Sequence, residues 1–265
     1  MRTAWLSDIH LEFLSNEQRN TFFQQWATLP VDQFFLTGDI STSEKLLPDL
    51  QAWVKFVTKP LYFVLGNHDY YGATVQSVRQ QVSALCQSQD LLHWLPDSGL
   101  VQLSDTLALV GHGGWSDGRY GDFLASNIIL NDYLQIIDLA DNFDRRLTLM
   151  QHFADEAAAY LQSVLTSLPA TIEKVIVLTH VPPFQETCYY NTFPADDANP
   201  YLPHFTSQAT GEVLLKLAHT QPDLQIEVLC GHTHHPCDIR MRPNLRIRVA
   251  HAEYEQPCIQ DIFDL

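Results

Sequence analysis

Five short stretches of this 265-residue chain concentrate side chains that bind metal ions or move protons: Ser7-Asp8-Ile9-His10, Gly38-Asp39, Gly66-Asn67-His68-Asp69, Thr179-His180 and Gly231-His232-Thr233-His234. Asp8 and His10 are spaced i, i+2, which on an extended segment turns a carboxylate and an imidazole to the same side. One D-x-H is weak evidence, because such a pair is more often a turn cap beside a surface histidine. Context gives the set its weight. Each cluster directly follows an apolar run of strand length: AWL, FFLT, YFVL, IVL and EVLC. In α/β proteins, functional residues gather where strands end at their carboxyl edge, so five such endings can converge on one site. The glycines before Asp39, Asn67 and His232 fit this arrangement, since a residue without Cβ lets the backbone turn sharply and approach a ligand closely.

The elements that must position these residues are legible as alternating patterns. Runs at Thr3–Leu6, Gln33–Thr37, Leu61–Leu65, Thr106–Val110, Lys174–Thr179, Ile226–Cys230 and Leu245–Ala250 are short and rich in β-branched or aromatic residues, which predicts strands. Helical patterns lie between them. Ser15 and Gln18 form a capping box that opens a helix expected to run to Leu29, with Phe22, Trp26 and Leu29 on one face. The longest helical pattern spans Asp141–Leu168. This alternation predicts an α/β fold with strands covered on both sides. No repeat, low-complexity tract or linker divides the chain, so a single domain is expected over 1–265, with an insert around 111–170 that shapes the pocket.

Composition narrows the function classes. A chain of this length can bury a substantial core. Acidic residues outnumber basic ones by 31 to 15, a formal net charge of −16, which argues against a large nucleic-acid or anionic-membrane footprint. The five cysteines (Cys86, Cys188, Cys230, Cys237, Cys258) are scattered and form no C-x-x-C pair. Neither a disulfide framework nor a thiolate zinc site is indicated, and a reducing compartment is the expected setting. No basic segment followed by an apolar stretch marks a leader, and no apolar run approaches a membrane span. A soluble cytoplasmic protein is the expectation; oligomeric state leaves no signal.

The ordered set D-x-H, G-D, G-N-H-D, H and G-H-x-H resembles the calcineurin-like metallophosphoesterase superfamily, and the match spans nearly the whole chain. The resemblance implies a four-layer α/β/β/α sandwich with a dinuclear metal site at the carboxyl ends of the strands. It implies that Asp8, His10 and His234 hold one ion, that Asn67, His180 and His232 hold the second, and that Asp39 bridges them. It further implies that His68 is the non-ligand acid-base residue and that Asp69 orients it. Imidazole, carboxylate and amide donors without thiolate suit two divalent or trivalent ions such as Mn, Fe or Zn. The implied reaction is hydrolysis of a small-molecule phosphodiester or phosphomonoester, possibly a nucleotide, by a hydroxide activated on the metal pair.

Other residues carry weaker signals. The glycine-rich stretch 111–123 contains His112, Arg119 and Tyr120, which are candidate substrate contacts; the planar guanidinium of Arg119 suits a phosphate. Gly114-Trp115-Ser116-Asp117-Gly118 matches G-x-S-x-G and offers Ser116 as a serine-hydrolase nucleophile, although such an elbow should lead straight into a helix, and two glycines follow closely here. A third reading is a non-enzymatic scaffold of the same fold, to which loss of the acid-base histidine would point. His68 and the seven ligand positions are all filled.

Overall fold

The computed structural model describes residues 1–140, 145–190 and 198–265. Eleven strands run through them: β1 Arg2–Leu6, β2 Gln33–Thr37, β3 Leu61–Val64, β4 Leu92–Trp94, β5 Val101–Gln102, β6 Leu107–Gly111, β7 Lys174–Leu178, β8 Gln225–Cys230, β9 Cys237–Arg242, β10 Leu245–Val249 and β11 Asp261–Asp264. The five longer helices among the described residues are α1 Asn16–Thr28, α2 Ser43–Phe56, α3 Val75–Cys86, α4 Arg146–Thr166 and α5 Gln208–Thr220. The strands form two sheets, ordered β11-β1-β2-β3-β4 and β5-β6-β7-β8-β10-β9. In the first, β1 to β4 are parallel, and in the second β6, β7, β8 and β10 are parallel; antiparallel strands close the edges beside β1, β6 and β10.

Three apolar layers hold four structural layers together. Ala4, Leu6, Phe34, Leu36, Leu61 and Phe63 face α1 to α3, where Phe23, Trp26, Leu50, Trp53 and Val78 meet them. The alternate residues Trp5, Phe35 and Val64 point the other way and pack on Leu107, Leu109, Ile176, Leu178 and Leu229 of the second sheet. Ala108, Val110, Val175, Val177 and Val228 then face Leu161 and Leu165 of α4 and Leu214 and Leu217 of α5. Strand alternation alone produces this division, since successive side chains leave a strand on opposite faces. Burial of each such side chain contributes about 1.5–3 kcal/mol. The result is the α/β/β/α sandwich expected from the motifs.

Local differences from the sequence pattern are small. The capping box on Ser15 and Gln18 is formed, but α1 buries Phe23 with Trp26, and Phe22 is only partly covered. The long helix α4 begins at Arg146, and residues 141–144 of the predicted span lie outside the described residues. No helix among the described residues is long and apolar enough to cross a membrane.

Candidate metal centre

β1, β2 and β3 end beside one another, and β7 and β8 end opposite them, so five loops meet at one edge of the sandwich. These loops carry all seven predicted ligands. Asp8, His10, Asp39, His232 and His234 have φ between 41° and 71°, a left-handed backbone that non-glycine residues rarely adopt and that is concentrated at functional sites. Room for the turns comes from neighbouring glycines: a Cβ on Gly66 would collide with Asp39, and one on Gly231 with Asp8.

The side chains assemble into two groups that share one carboxylate. Asp8, His10, Asp39 and His234 form the first, and Asp39, His180 and His232 the second, with donor atoms in each group within 4.8 Å of one another. Asp39 Oδ2 lies 3.7 Å from His10 Nε2, and its Oδ1 lies 3.4 Å from His180 Nε2, so each oxygen faces a different group. His234 Nε2 is 3.1 Å from His10 Nε2 and 3.5 Å from Asp8 Oδ1. Asn67 Oδ1 is 3.0 Å from His180 Nε2. These separations match neighbouring ligands around an ion held at about 2.0–2.2 Å, which stand roughly 3–3.6 Å apart.

Proton bookkeeping tests whether cations fit. The carbonyl of Thr37 can only accept, so His180 Nδ1 at 2.9 Å must carry the proton. Its Nε2 lone pair then confronts Asn67 Oδ1, because the amide nitrogen of Asn67 donates to Tyr71 Oη and to Asp132 Oδ1. Two acceptors at hydrogen-bond distance without a proton between them repel, and a cation removes the conflict. His10 repeats the pattern, with Nδ1 turned to Glu12 Oε1 at 3.1 Å and Nε2 turned inward. His232 donates from Nε2 to the His204 carbonyl at 3.3 Å, leaving Nδ1 free. Such outer partners fix tautomer and ring orientation in metal-ligating histidines.

Electrostatics points the same way. Burial keeps the imidazoles neutral, pushing His10 down to about 4 and His180 and His232 below their ordinary value. Burial, followed by the nearby Asp8 and Asp69 carboxylates, pushes Asp39 well above the usual carboxylate range. Unprotonated imidazoles around a carboxylate that lacks a counter-charge are the donor set a metal pair requires.

A family model of calcineurin-like phosphoesterases matches residues 1–236. The chain belongs to this family. Among solved structures, phosphopantetheinyl hydrolase from Mycobacterium tuberculosis superposes with a TM-score of 0.68 at 14% identity, over 94% of this chain and 89% of that one. A dimetal phosphatase from Danio rerio gives a TM-score of 0.58 at 13% identity, over 94% of this chain and 86% of the other. At these identities the likeness is one of fold. No curated protein matches the chain in sequence.

Within this calcineurin-like phosphoesterase fold, the acid-base candidate is held differently from the expectation. His68 lines the cleft above the two groups, and its Nδ1 lies 2.9 Å from Glu12 Oε1. Asp69 is occupied elsewhere: Oδ1 accepts from the backbone N–H groups of Ile40 and Ser41, and Oδ2 from that of Gly66. Asp69 therefore ties the β2 loop to the β3 loop, and the partner that orients His68 is Glu12. Burial would raise the Glu12 carboxyl, but the His10 and His68 imidazoles on either side outweigh it and hold it at about 2. The sequence held one signal for Glu12, an acid two residues beyond a ligand histidine.

The three contact candidates of the glycine-rich stretch lie outside the main cleft, whereas Gly114, Trp115 and Ser116 of the same stretch line a small pocket with Asn67, His180 and His232. The cleft, about 730 Å³, is lined by Tyr71, Asp132, Tyr190, Phe205 and Tyr254 around the site residues, and His112, Arg119 and Tyr120 are not among its walls. His112 is buried and accepts from the N–H of Gly114 at 3.1 Å. Arg119 pairs with Asp117 at 3.1 Å and Asp155 at 2.7 Å, and Asp117 in turn accepts from the N–H of Ala209. Tyr120 packs against Cys188, Leu202 and Phe205. The planar fork of Arg119 thus pins its own loop onto α4 and α5. Ser116 is buried, and residues 117–125 lead through a bend into turns with no helix, so the elbow geometry is not formed. Asp132, missed in the sequence because it lies in no motif, accepts from Asn67 Nδ2 at 2.8 Å and Tyr71 Oη at 2.7 Å.

Proposed function

We propose that this chain is a metal-dependent hydrolase of small-molecule phosphate esters, diester or monoester. The observation that carries the reading is the sharing of Asp39 between two donor groups directly beneath an open cleft whose wall includes His68. Asp8, His10, Asp39 and His234 would hold one ion, and Asn67, His180 and His232 would hold the other with Asp39; manganese, iron and zinc all suit these donors. A bound pair of ions supplies an activated water at neutral pH and a positive clamp for the phosphoryl oxygens.

The protein's own residues account for the remaining requirements. In its doubly protonated form His68 keeps one proton on Nδ1 against Glu12 and holds the other on the ring nitrogen turned to the cleft; that second proton passes to the departing ester oxygen and leaves the ring neutral. The P–O bond to that oxygen breaks as water's oxygen bonds to phosphorus. The ring of Tyr71, 4.3 Å from that of His68, limits solvent at the acid. The five cysteines are all free thiols, which supports the proposal of a reducing, cytoplasmic setting.

The test is hydrolysis of bis-p-nitrophenyl phosphate, p-nitrophenyl phosphate and p-nitrophenyl acetate by chelator-treated protein with Mn²⁺ restored or withheld. Metal-dependent cleavage of either phosphate is expected. Acetate cleavage indifferent to metal, or no cleavage of any of the three, would overturn the reading.

A further inference from the structure

The cleft above the candidate metal pair has an unusual charge distribution for a phosphate site. No lysine or arginine lines it among the described residues, and residues 191–197, which lie outside them, contain neither in sequence. The charged side chains that do line it away from the ligands are the carboxylates of Asp132 and Glu253, and Glu253 faces His251 at 3.6 Å. A second or third phosphate would therefore meet no lysine or arginine, only the titratable imidazoles of His68, His235 and His251, and would be repelled by the Glu253 carboxylate.

Aromatic surface takes the place of cations: Tyr254 lines the cleft beside the acid, and Phe13, outside the lining, packs against it. Tyr254 and Phe13 are 49% and 47% exposed, with ring centroids 4.7 Å apart. The Tyr254 ring lies 4.8 Å from His10, 5.2 Å from His234 and 6.4 Å from His68; Phe13 lies 6.5 Å from His68. Both rings are placed by short-range structure. Phe13 ends a 3-10 turn whose N–H bonds back to His10 O at 3.1 Å. Tyr254 sits in a turn closed by Gln256 N–H on Glu253 O, and the Gln260 amide exchanges two hydrogen bonds with the His251 backbone just before it. Exposed, pre-positioned rings are costly to leave in water and ready to stack.

We propose that the Phe13–Tyr254 pair is the subsite for the ester group of a substrate carrying one phosphate, a planar organic part and no further negative charge. This rests on the phosphoesterase reading and adds the class of substrate. Because the rings adjoin His68, the group that stacks on them is the one that leaves.

The experiment compares metal-loaded wild type with Tyr254→Ala, Phe13→Ala and Tyr254→Phe on three substrates. Methyl phenyl phosphate and methyl hexafluoroisopropyl phosphate have leaving groups of similar acidity, but only the first is planar; P1-phenyl P2-methyl pyrophosphate adds a second charged phosphorus. Each alanine variant should lower kcat/KM on the phenyl ester about tenfold, within the range for loss of one stacking ring, and leave the hexafluoroisopropyl ester within about twofold. Tyr254→Phe should retain the phenyl preference, and wild type should disfavour the pyrophosphate. Equal losses on both esters, or a pyrophosphate cleaved as well as the phenyl ester, would overturn the subsite while leaving the phosphoesterase reading intact. Cleavage of none of the three by wild type would remove both. Calorimetric binding of phenylphosphonate against methylphosphonate gives a readout independent of turnover, and the same variants should erase the phenyl advantage.

Discussion

His68 Nδ1 stands 2.9 Å from Glu12 Oε1, and the same carboxylate oxygen receives His10 Nδ1 at 3.1 Å. One buried acid thus sets the tautomer of a candidate metal ligand and of the candidate general acid together. The other oxygen of Glu12 is buried without a partner, so the carboxylate is retained at a cost in stability. Glu12→Gln should lower turnover about 10–100-fold even at saturating Mn²⁺, as is typical when a partner behind a ligand is removed. Unchanged kcat on an alkyl phosphodiester would dismiss the role.

His68 itself is assigned a proton and no ion. His68→Ala should keep its metal content and lose about 10²- to 10⁴-fold in kcat on esters with poor leaving groups, with a smaller loss on p-nitrophenyl esters. Metal analysis and a leaving-group series would check this; a flat loss across the series would mean that His68 acts otherwise.

Asp39 presents one oxygen to each donor group. Asp39→Asn preserves shape and can still accept from the His68 N–H at 2.9 Å, but it removes the shared charge. Both ions should bind more weakly, and the dialysed variant should hold less than the full pair per chain by mass spectrometry. A full complement would contradict the bridge.

The edge strands β4, β5 and β9 show why part of the fold was hidden in the sequence. All seven predicted strands are present: most read as apolar runs because both faces are buried, and β10 shows as an alternation of buried Leu245, Ile247 and Val249 with partly covered Arg246 and Arg248. β4 and β5 are three and two residues long, too short for any period to show. β9 alternates Cys237, Ile239 and Met241 with Asp238, Arg240 and Arg242, which is how an exposed edge is protected from pairing but resembles a polar loop in sequence. At the site the ligands were legible because motif spacing reports backbone position. Glu12, Asp132 and the true partners of Asp69 and Arg119 were not, since they depend on which loop lies across from which.

His112, absent from the cleft, has a different measurable consequence. Burial, followed by the Arg79 charge, pushes its imidazole down from 6.5 to about 3. The folded protein therefore refuses a proton that the unfolded chain accepts below 6.5, so stability is full above that value and falls with pH down to about 3, by at most about 1.4 kcal/mol per pH unit. His112→Asn keeps an acceptor for Gly114 without the titration. Its melting temperature should fall less steeply than that of wild type between about pH 6 and 4; identical slopes would show that His112 does not contribute.

Asp8 Oδ1 accepts from the N–H of His232, 224 residues further along the chain, and Met1 N bonds to Leu265 O. Donors from the first sheet and donors from the second meet only when the sandwich is closed, so the site has a high contact order and belongs among the last features to form. A nascent chain has to emerge past His234 before the cluster can exist, and a partly folded intermediate offers an ion only fragments of it. Ion uptake should therefore trail the burial of tryptophan in refolding time courses, and an ion once taken up locks both halves against the slow openings by which such a molecule is degraded.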